Sequence, residues 1–214
     1  MRHPPTSPSD RAIIRFDTVL RRLVGPRPSG ARASPAAGIA PVELSPQARW
    51  ASGRLMRVNH TGEVCAQALY VGHAWVVADT ARRRALRTAA AEEIDHLVWC
   101  AERLRELQTH RSYLAPLWVV GAFVSGAAAG ILGERWGMAF LAETERQVIA
   151  HLDAHLRDLP PEDLASRAIL VQMKIDEAKH AATAWRHGAF EFPAGMKWIM
   201  RAQAKIMTTI AAEI

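Results

Sequence analysis

The chain has 214 residues, of which 50% are hydrophobic, and a formal net charge of +6 at pH 7. This length allows one domain with a substantial core. Arginine is spread along the chain and no nucleic-acid-binding motif is recognisable, so the charge favours an anionic membrane surface over nucleic acid as a partner. The N-terminus lacks the apolar segment of a secretory signal peptide. Cys65 and Cys100 lie within helical apolar patterns, which predicts reduced core residues.

The first 44 residues are predicted to precede the main domain. Residues 10–24 form an amphipathic pattern of basic and apolar positions. This helix is compatible with a mitochondrial transit peptide, although Asp10 and Asp17 argue against one. It could equally pack on the domain or lie on a membrane surface. Residues 25–41 are rich in Gly, Pro and Ala, which predicts a flexible linker.

The main domain, residues 45–214, is predicted to be all-α. Ser45 and Pro46 have the preferences of a helix N-cap and a first helical position, and Asp79 is suited to cap the next helix. The C-terminal helix is amphipathic, and it either covers the domain or sits on a membrane. The predicted helices, from their apolar periodicity, are 46–78, 81–110, 134–158, 162–187 and 196–214.

Both halves of this domain repeat one pattern of metal-ligating residue types. A lone glutamate, Glu63 or Glu145, is followed 30 or 32 residues later by a Glu-x-x-His motif, at 93–96 and at 177–180. Residues three apart lie on one face of a helix, so the Glu and His of a motif point the same way. Ferritin-like bundles hold two iron or manganese ions with one Glu on each of two helices and Glu-x-x-His on the other two.

Each of these glutamates falls within an apolar stripe that is predicted to face the core. A single Glu-x-x-His motif is common on solvated helix faces, but glutamate is almost never buried without a partner. Four carboxylates balance the charge of two divalent ions, and oxygen and imidazole ligands suit iron or manganese. The sequence therefore predicts a ferritin-like four-helix bundle whose metal ligands are Glu63, Glu93, His96, Glu145, Glu177 and His180.

Residues 114–133 carry no charged side chain over twenty positions. That length could span a bilayer, but the segment is rich in small residues. A ferritin-like bundle also needs a crossover between its two hairpins at this place. We expect an interfacial or hairpin-like insertion into one leaflet, flanked by Trp118 and Trp136, with Arg111 and Arg135 near the headgroups. A transmembrane helix is the alternative.

Together these motifs resemble the demethoxyubiquinone hydroxylase family, the di-iron monooxygenases of ubiquinone biosynthesis. The resemblance covers about residues 45–214, and the helix and Pro-rich linker before the domain are similar to the bacterial branch. The matching stretches are 59–63 (NHTGE), 93–97 (EIDHL), Glu145 with 149–151 (IAH), 176–180 (DEAKH), and the apolar region from 116–118 (PLW) to 132–133 (LG).

The resemblance implies two iron ions per chain, one held by Glu63, Glu93 and His96. Glu145, Glu177 and His180 would hold the other, and the bridging ligands would be Glu93 and Glu177.

Four further residues are candidates near this site. His151 falls where the family has a histidine, and it is expected to hold substrate or water unless it is only a polar core residue. Tyr70, seven residues after Glu63, faces the same way and could hydrogen-bond near the site or simply pack there. Asp95 and Asp176 adjoin the ligands and could orient a histidine N–H, or else lie exposed.

By this resemblance the chain hydroxylates the ring of a demethoxyubiquinol with dioxygen, a late step of ubiquinone biosynthesis. The polyprenyl substrate implies a peripheral site on the cytoplasmic face of a bacterial cell membrane, or on the matrix face of the mitochondrial inner membrane in a eukaryote. Electrons would come from an external donor or from the quinol, since no flavin or nicotinamide fingerprint is present. A quinone-biosynthesis complex with a lipid-binding accessory protein is a further implied partner.

Three other functions remain compatible with the ligand pattern. A ferritin-like iron oxidase or storage protein shares the bundle, although the long apolar segment argues against a soluble cage. Manganese catalase also carries paired Glu-x-x-His motifs. A membrane scaffold or lipid-binding protein with a vestigial metal site is the non-enzymatic alternative.

Overall fold

The computed structural model describes residue 30 and residues 32–214. Within these residues all regular structure is helical, as predicted. The predicted helix at 134–158 is found with the same bounds, and the others differ by a few residues at their ends. The amphipathic helix predicted at 10–24 lies outside the described residues. The helices are α1 Pro46–Val76, α2 Thr80–Glu106, α3 Ala115–Ile131, α4 Glu134–Asp158, α5 Leu164–Arg186 and α6 Ala194–Glu213.

Capping side chains set the starts of α1 and α2. The Ser45 hydroxyl accepts a hydrogen bond from the backbone N–H of Ala48 at 3.1 Å, ahead of Pro46. Asp79 accepts from Arg82 N–H in the same way at the start of α2. These caps satisfy backbone donors that have no partner inside the helix. The caps predicted at Ser45 and Asp79 are therefore confirmed.

Four helices form the bundle, in two antiparallel hairpins. Helix α1 packs along α2, and α4 packs along α5, while contacts between α2 and α5 and between α1 and α4 join the hairpins. Helix α3 connects the hairpins and lies along α1, and α6 covers parts of α1 and α4. This is the predicted ferritin-like arrangement, with α3 as the crossover.

Two apolar clusters fill the bundle on either side of its middle. One cluster includes Met56, Leu104, Leu152 and Met173. The other includes Leu69, Leu86, Met138 and Ala184. On each of the four helices the predicted metal ligands lie between the residues of these two clusters. The predicted ligands thus lie in the middle of the core, between two apolar layers.

Helix α3 touches α1 through backbone atoms. A Cβ added at Gly126 would lie 2.1 Å from the Leu69 carbonyl oxygen, and one at Gly72 would lie 2.2 Å from that of Phe123. Only glycine allows this approach. The opposite side of α3 is exposed and apolar, at Leu117, Val120, Gly121, Val124, Ala128 and Ile131. Within residue 30 and residues 32–214, no helix combines the length and the apolarity needed to cross a membrane.

The segment ahead of α1 is in contact with the bundle from residue 32 onward. Leu44 is buried in the Met56 cluster, and Ala36 packs against it. The guanidinium of Arg32 lies over the ring of Trp99, 4.8 Å from its centre. The part of the predicted linker that the structure describes therefore packs on the domain, while the domain boundary at residue 44 stays a prediction.

Candidate metal centre

The bundle brings the six predicted ligands together in two groups. Glu63, Glu93, His96 and Glu177 each offer one ligand atom within 4.8 Å of the others, and Glu177 joins Glu145 and His180 in the second group. All six side chains are buried. They come from α1, α2, α4 and α5, so each bundle helix contributes at least one ligand.

The distances distinguish two carboxylates from the rest. Glu93 lies 3.1 Å from His96 Nδ1 through one oxygen and 3.3 Å from His180 Nδ1 through the other. Glu177 likewise lies 3.3 Å from His96 Nδ1 and 3.1 Å from His180 Nδ1. Of the two histidines, Glu63 contacts His96, with 3.2 Å between Glu63 Oε2 and His96 Nδ1. Glu93 and Glu177 thus occupy the space between the two groups, where bridging ligands would lie.

The chemistry of this cluster fits divalent cations. Among the described residues, Glu145 Oε2 is buried without a hydrogen-bond partner. Glu93 Oε1 and Glu177 Oε1 each lie 3.3 Å from a histidine Nδ1 but do not meet hydrogen-bond geometry. Such a group is costly to bury unless it is paired or binds a metal. Four carboxylates and two imidazoles are the donor types that iron and manganese accept.

Proton binding and metal binding compete here. Burial raises the pKa of Glu63 and Glu145 well above the ordinary value, and the neighbouring carboxylates Glu93 and Glu177 add to the rise. Protons therefore neutralise part of the cluster when no cation does. Metal ligands must be deprotonated, so metal binding would release protons from these carboxyls.

Each ligand histidine is supported by an acid from the opposite motif. His96 Nε2 lies 3.2 Å from Asp176 Oδ2, and His180 Nε2 lies 2.6 Å from Glu92 Oε2. With Nδ1 on a metal, Nε2 would carry the proton and donate a hydrogen bond to the carboxylate, which would fix the ring. Asp176 thus has the expected position. Glu92 was missed, although it precedes its motif by one residue as Asp176 does.

Tyr70 also reaches the cluster. Its hydroxyl donates a hydrogen bond to Glu145 Oε1, and the phenol is buried. The ring meets that of His180 edge to face, with 5.9 Å between ring centres. The structure therefore places Tyr70 against two ligands of the second group.

Comparison with known proteins places this arrangement in a family. Residues 51–211 match the family model described as "Ubiquinone biosynthesis protein COQ7". The chain belongs to this family. The resemblance predicted from the metal motifs is thereby confirmed.

Several bacterial members of the family are similar over nearly their whole length, and each is named 3-demethoxyubiquinol 3-hydroxylase. The protein of Nitrosococcus oceani is 51% identical over 94% of this chain and 94% of its own. That of Chromobacterium violaceum is 51% identical over 93% of this chain and 96% of its own. That of Variovorax paradoxus is 51% identical over 98% of this chain and all of its own.

His151, the other residue suggested by the family pattern, lies outside both ligand groups. Its ring packs on that of His155, with 3.8 Å between ring centres, and His155 Nδ1 lies 2.9 Å from Asn59 Oδ1. Burial lowers the pKa of His151, and it lowers that of His155 to about 3. These imidazoles are neutral, and the role of His151 toward substrate or water stays a prediction.

Proposed function

We propose that this chain is a 3-demethoxyubiquinol 3-hydroxylase that uses dioxygen and two iron ions. The observation that carries the proposal is the buried pair of ligand groups that share Glu177. The exposed apolar face of α3 argues against a soluble iron-storage cage, because such a face is unfavourable in contact with water. The nearly full-length likeness to hydroxylases of the same family supports the substrate.

In this proposal Glu63, Glu93 and His96 hold one iron, and Glu145, Glu177 and His180 hold the other. The positions of Glu93 and Glu177 between both histidines support their assignment as bridges. The chemistry that two irons supply when bound is reductive activation of dioxygen. Aromatic hydroxylation by dioxygen consumes two further electrons and two protons and releases water. An external donor or the quinol supplies those electrons.

The protein restricts the positions of the proposed ligands and excludes water from them. The two apolar clusters exclude water from both ends of the site, which strengthens the electrostatic interactions inside it. Asp176 and Glu92 contact Nε2 of His96 and His180, which leaves Nδ1 of each imidazole facing the carboxylates of the cluster, where it would bind iron. Tyr70 holds one oxygen of Glu145. These contacts limit the ways in which the carboxylates can rearrange.

A test with purified protein separates the metal centre from the substrate. Wild type, reconstituted anaerobically with ferrous iron, should bind two irons per chain and hydroxylate a short-tailed demethoxyubiquinol when dioxygen and a reductant are added. Glu177→Ala should lose both properties, because it removes the ligand common to both groups. Glu102→Ala, an exposed glutamate on α2, is the matched control and should keep both.

The outcomes distinguish the competing functions. Two irons without hydroxylation would reject the substrate and favour an iron oxidase, and manganese with peroxide disproportionation would favour a catalase. A folded wild type that binds no metal would favour the non-enzymatic scaffold.

The substrate tail also requires contact with a membrane, and we place the chain peripherally on the cytoplasmic face of the cell membrane. The exposed face of α3 supports this, since Leu117, Val124 and Ile131 are at least half exposed. Apolar side chains in such a row favour burial among lipid chains. Val124→Glu should weaken sedimentation with anionic vesicles. Val171→Glu, at an exposed valine on α5, should not, and equal binding by both variants would reject α3 as the contact.

A further inference from the structure

One arginine ahead of the bundle joins the two helices that carry the Glu-x-x-His motifs. Arg32 Nε lies 2.6 Å from Asp95 Oδ2 on α2, and Arg32 Nη1 lies 2.7 Å from Asp176 Oδ2 on α5. Both aspartate side chains are buried, at 5% and 4% exposure. The planar guanidinium thus bridges two buried carboxylates. Each of them is adjacent in sequence to a proposed metal ligand, Asp95 to His96 and Asp176 to Glu177.

The backbone around Arg32 is fixed by the same neighbours. Its N–H donates to Asp95 Oδ1 at 3.2 Å, and its carbonyl accepts from the indole N–H of Trp99 at 3.3 Å. The guanidinium also lies over the Trp99 ring. At Gly30 a Cβ would come within 2.9 Å of Asp95 Oδ1. The Arg32 side chain is 39% exposed, but these contacts hold the residue at several points, which a single surface ion pair does not.

The bridge leads directly to a ligand. The oxygen of Asp176 that binds Arg32 is also the one that lies 3.2 Å from His96 Nε2. The other oxygen of Asp176 is held by Gln172 at 3.1 Å and by Lys179 at 2.9 Å. Asp176 therefore has no freedom to turn away from His96 while Arg32 is in place.

We propose that Arg32 is a positioning residue of the metal centre, acting through Asp176 to hold the His96 imidazole with Nδ1 toward the metal. The inference rests on the proposed function, because it needs a metal at this cluster. Lys179 already supplies a positive charge to Asp176, so the specific contribution of Arg32 is to fix the position of the Asp176 carboxylate. A guanidinium can bind two carboxylates along fixed directions, whereas an ammonium is a point charge on a flexible stem.

Cobalt titration of the metal-free protein tests this without turnover. The variants are Arg32→Gln and Arg32→Lys. Arg54→Gln is the matched control, because Arg54 also lies over a tryptophan ring, at 4.6 Å, and pairs with a carboxylate, Glu213, away from the metal site. Loss of a group that orients a metal-bound histidine typically lowers metal affinity by ~10–100-fold. Relative to wild type, we expect that loss of cobalt affinity, with an altered visible spectrum of bound cobalt, in both Arg32 variants. The Arg54→Gln control should bind cobalt as wild type does.

A double-variant cycle tests whether the effect passes through Asp176. Arg32→Gln should lower cobalt affinity little further in an Asp176→Asn background, whereas a merely structural role of Arg32 predicts additive losses. Wild-type affinity in Arg32→Gln, rescue by Arg32→Lys, or additive losses would each overturn the inference alone. Absence of cobalt binding by wild type would overturn the proposed metal centre, and this inference with it.

Discussion

The backbone contact between α1 and α3 predicts a large difference between two glycines of one helix. Alanine at Gly126 would place its Cβ 2.1 Å from the Leu69 carbonyl oxygen, where ordinary contact begins at 3.4 Å. The helices must separate by about 1 Å to accept it, and overpacking of this kind costs ~1–3 kcal/mol. Because the obstructing atom belongs to the backbone and cannot rotate away, we expect the upper part of that range.

Gly121→Ala is the matched control. Its Cβ would meet nothing within 4 Å, and Gly121 is exposed on the same helix. Alanine is favoured over glycine in a helix interior by ~1 kcal/mol, a gain that both variants share. The expected net effects are ~2 kcal/mol of destabilisation for Gly126→Ala and ~1 kcal/mol of stabilisation for Gly121→Ala.

Thermal unfolding of the metal-free protein, followed by far-ultraviolet circular dichroism, measures this difference. At ~2–4 °C per kcal/mol for a chain of this size, Gly126→Ala should melt ~4–8 °C below wild type, and Gly121→Ala slightly above it. A Gly126→Ala variant that melts at or above Gly121→Ala would refute the close packing of α3 on α1.

Three further predictions concern single side chains. His155 is buried with a pKa of about 3, against an ordinary 6.5, because burial disfavours its charged form. The unfolded chain therefore gains a proton between these pH values that the folded chain does not, so acidification destabilises the protein. His155→Gln should lessen that loss by ~1.4 kcal/mol per pH unit between the two pKa values. Urea unfolding at a series of pH values measures this, and an equal pH dependence of the unfolding free energy in wild type and variant would contradict it. Tyr70→Phe removes the hydrogen bond to Glu145 and should lower cobalt affinity by ~10–100-fold, whereas unchanged affinity would leave Tyr70 a packing role. Ser45→Ala removes the cap of α1 and should cost ~1 kcal/mol in chemical unfolding, and an unchanged midpoint would show that the cap is dispensable.

The six side chains of the candidate metal centre could be predicted from the sequence because their information is local. Glutamate and histidine three residues apart share a helix face, and a charged residue inside an apolar stripe is conspicuous wherever the helix packs. The repeat of the pattern then indicated a bundle before any contact was known. Glu92 was within reach as well, since it occupies the position before its motif that Asp176 occupies in the other half.

Arg32 could not be found in this way. Its partners lie 63 and 144 residues further along the chain, and the surrounding Gly-, Pro- and Ala-rich composition predicts a linker. Composition describes the average preference of a segment, whereas this contact depends on one side chain and on the bundle that faces it.

The close packing of α3 had an overlooked signal. Gly126 and Gly130 are four residues apart, the spacing of small residues that lets two helices approach through their backbones. The apolar character of residues 114–133 drew attention to membranes first. The structure shows that one side of this segment packs closely against α1.

The quinone profile of a bacterial host that lacks its own demethoxyubiquinone hydroxylase tests the central claim most directly. Lipid extracts would be analysed by mass spectrometry after expression of wild type or Glu177→Ala, with equal protein levels verified by immunoblot. Wild type should convert the accumulated demethoxyubiquinone into ubiquinone, and Glu177→Ala should leave it unconverted. Conversion by Glu177→Ala would contradict the ligand assignment, and failure of wild type that carries two irons per chain would contradict the substrate.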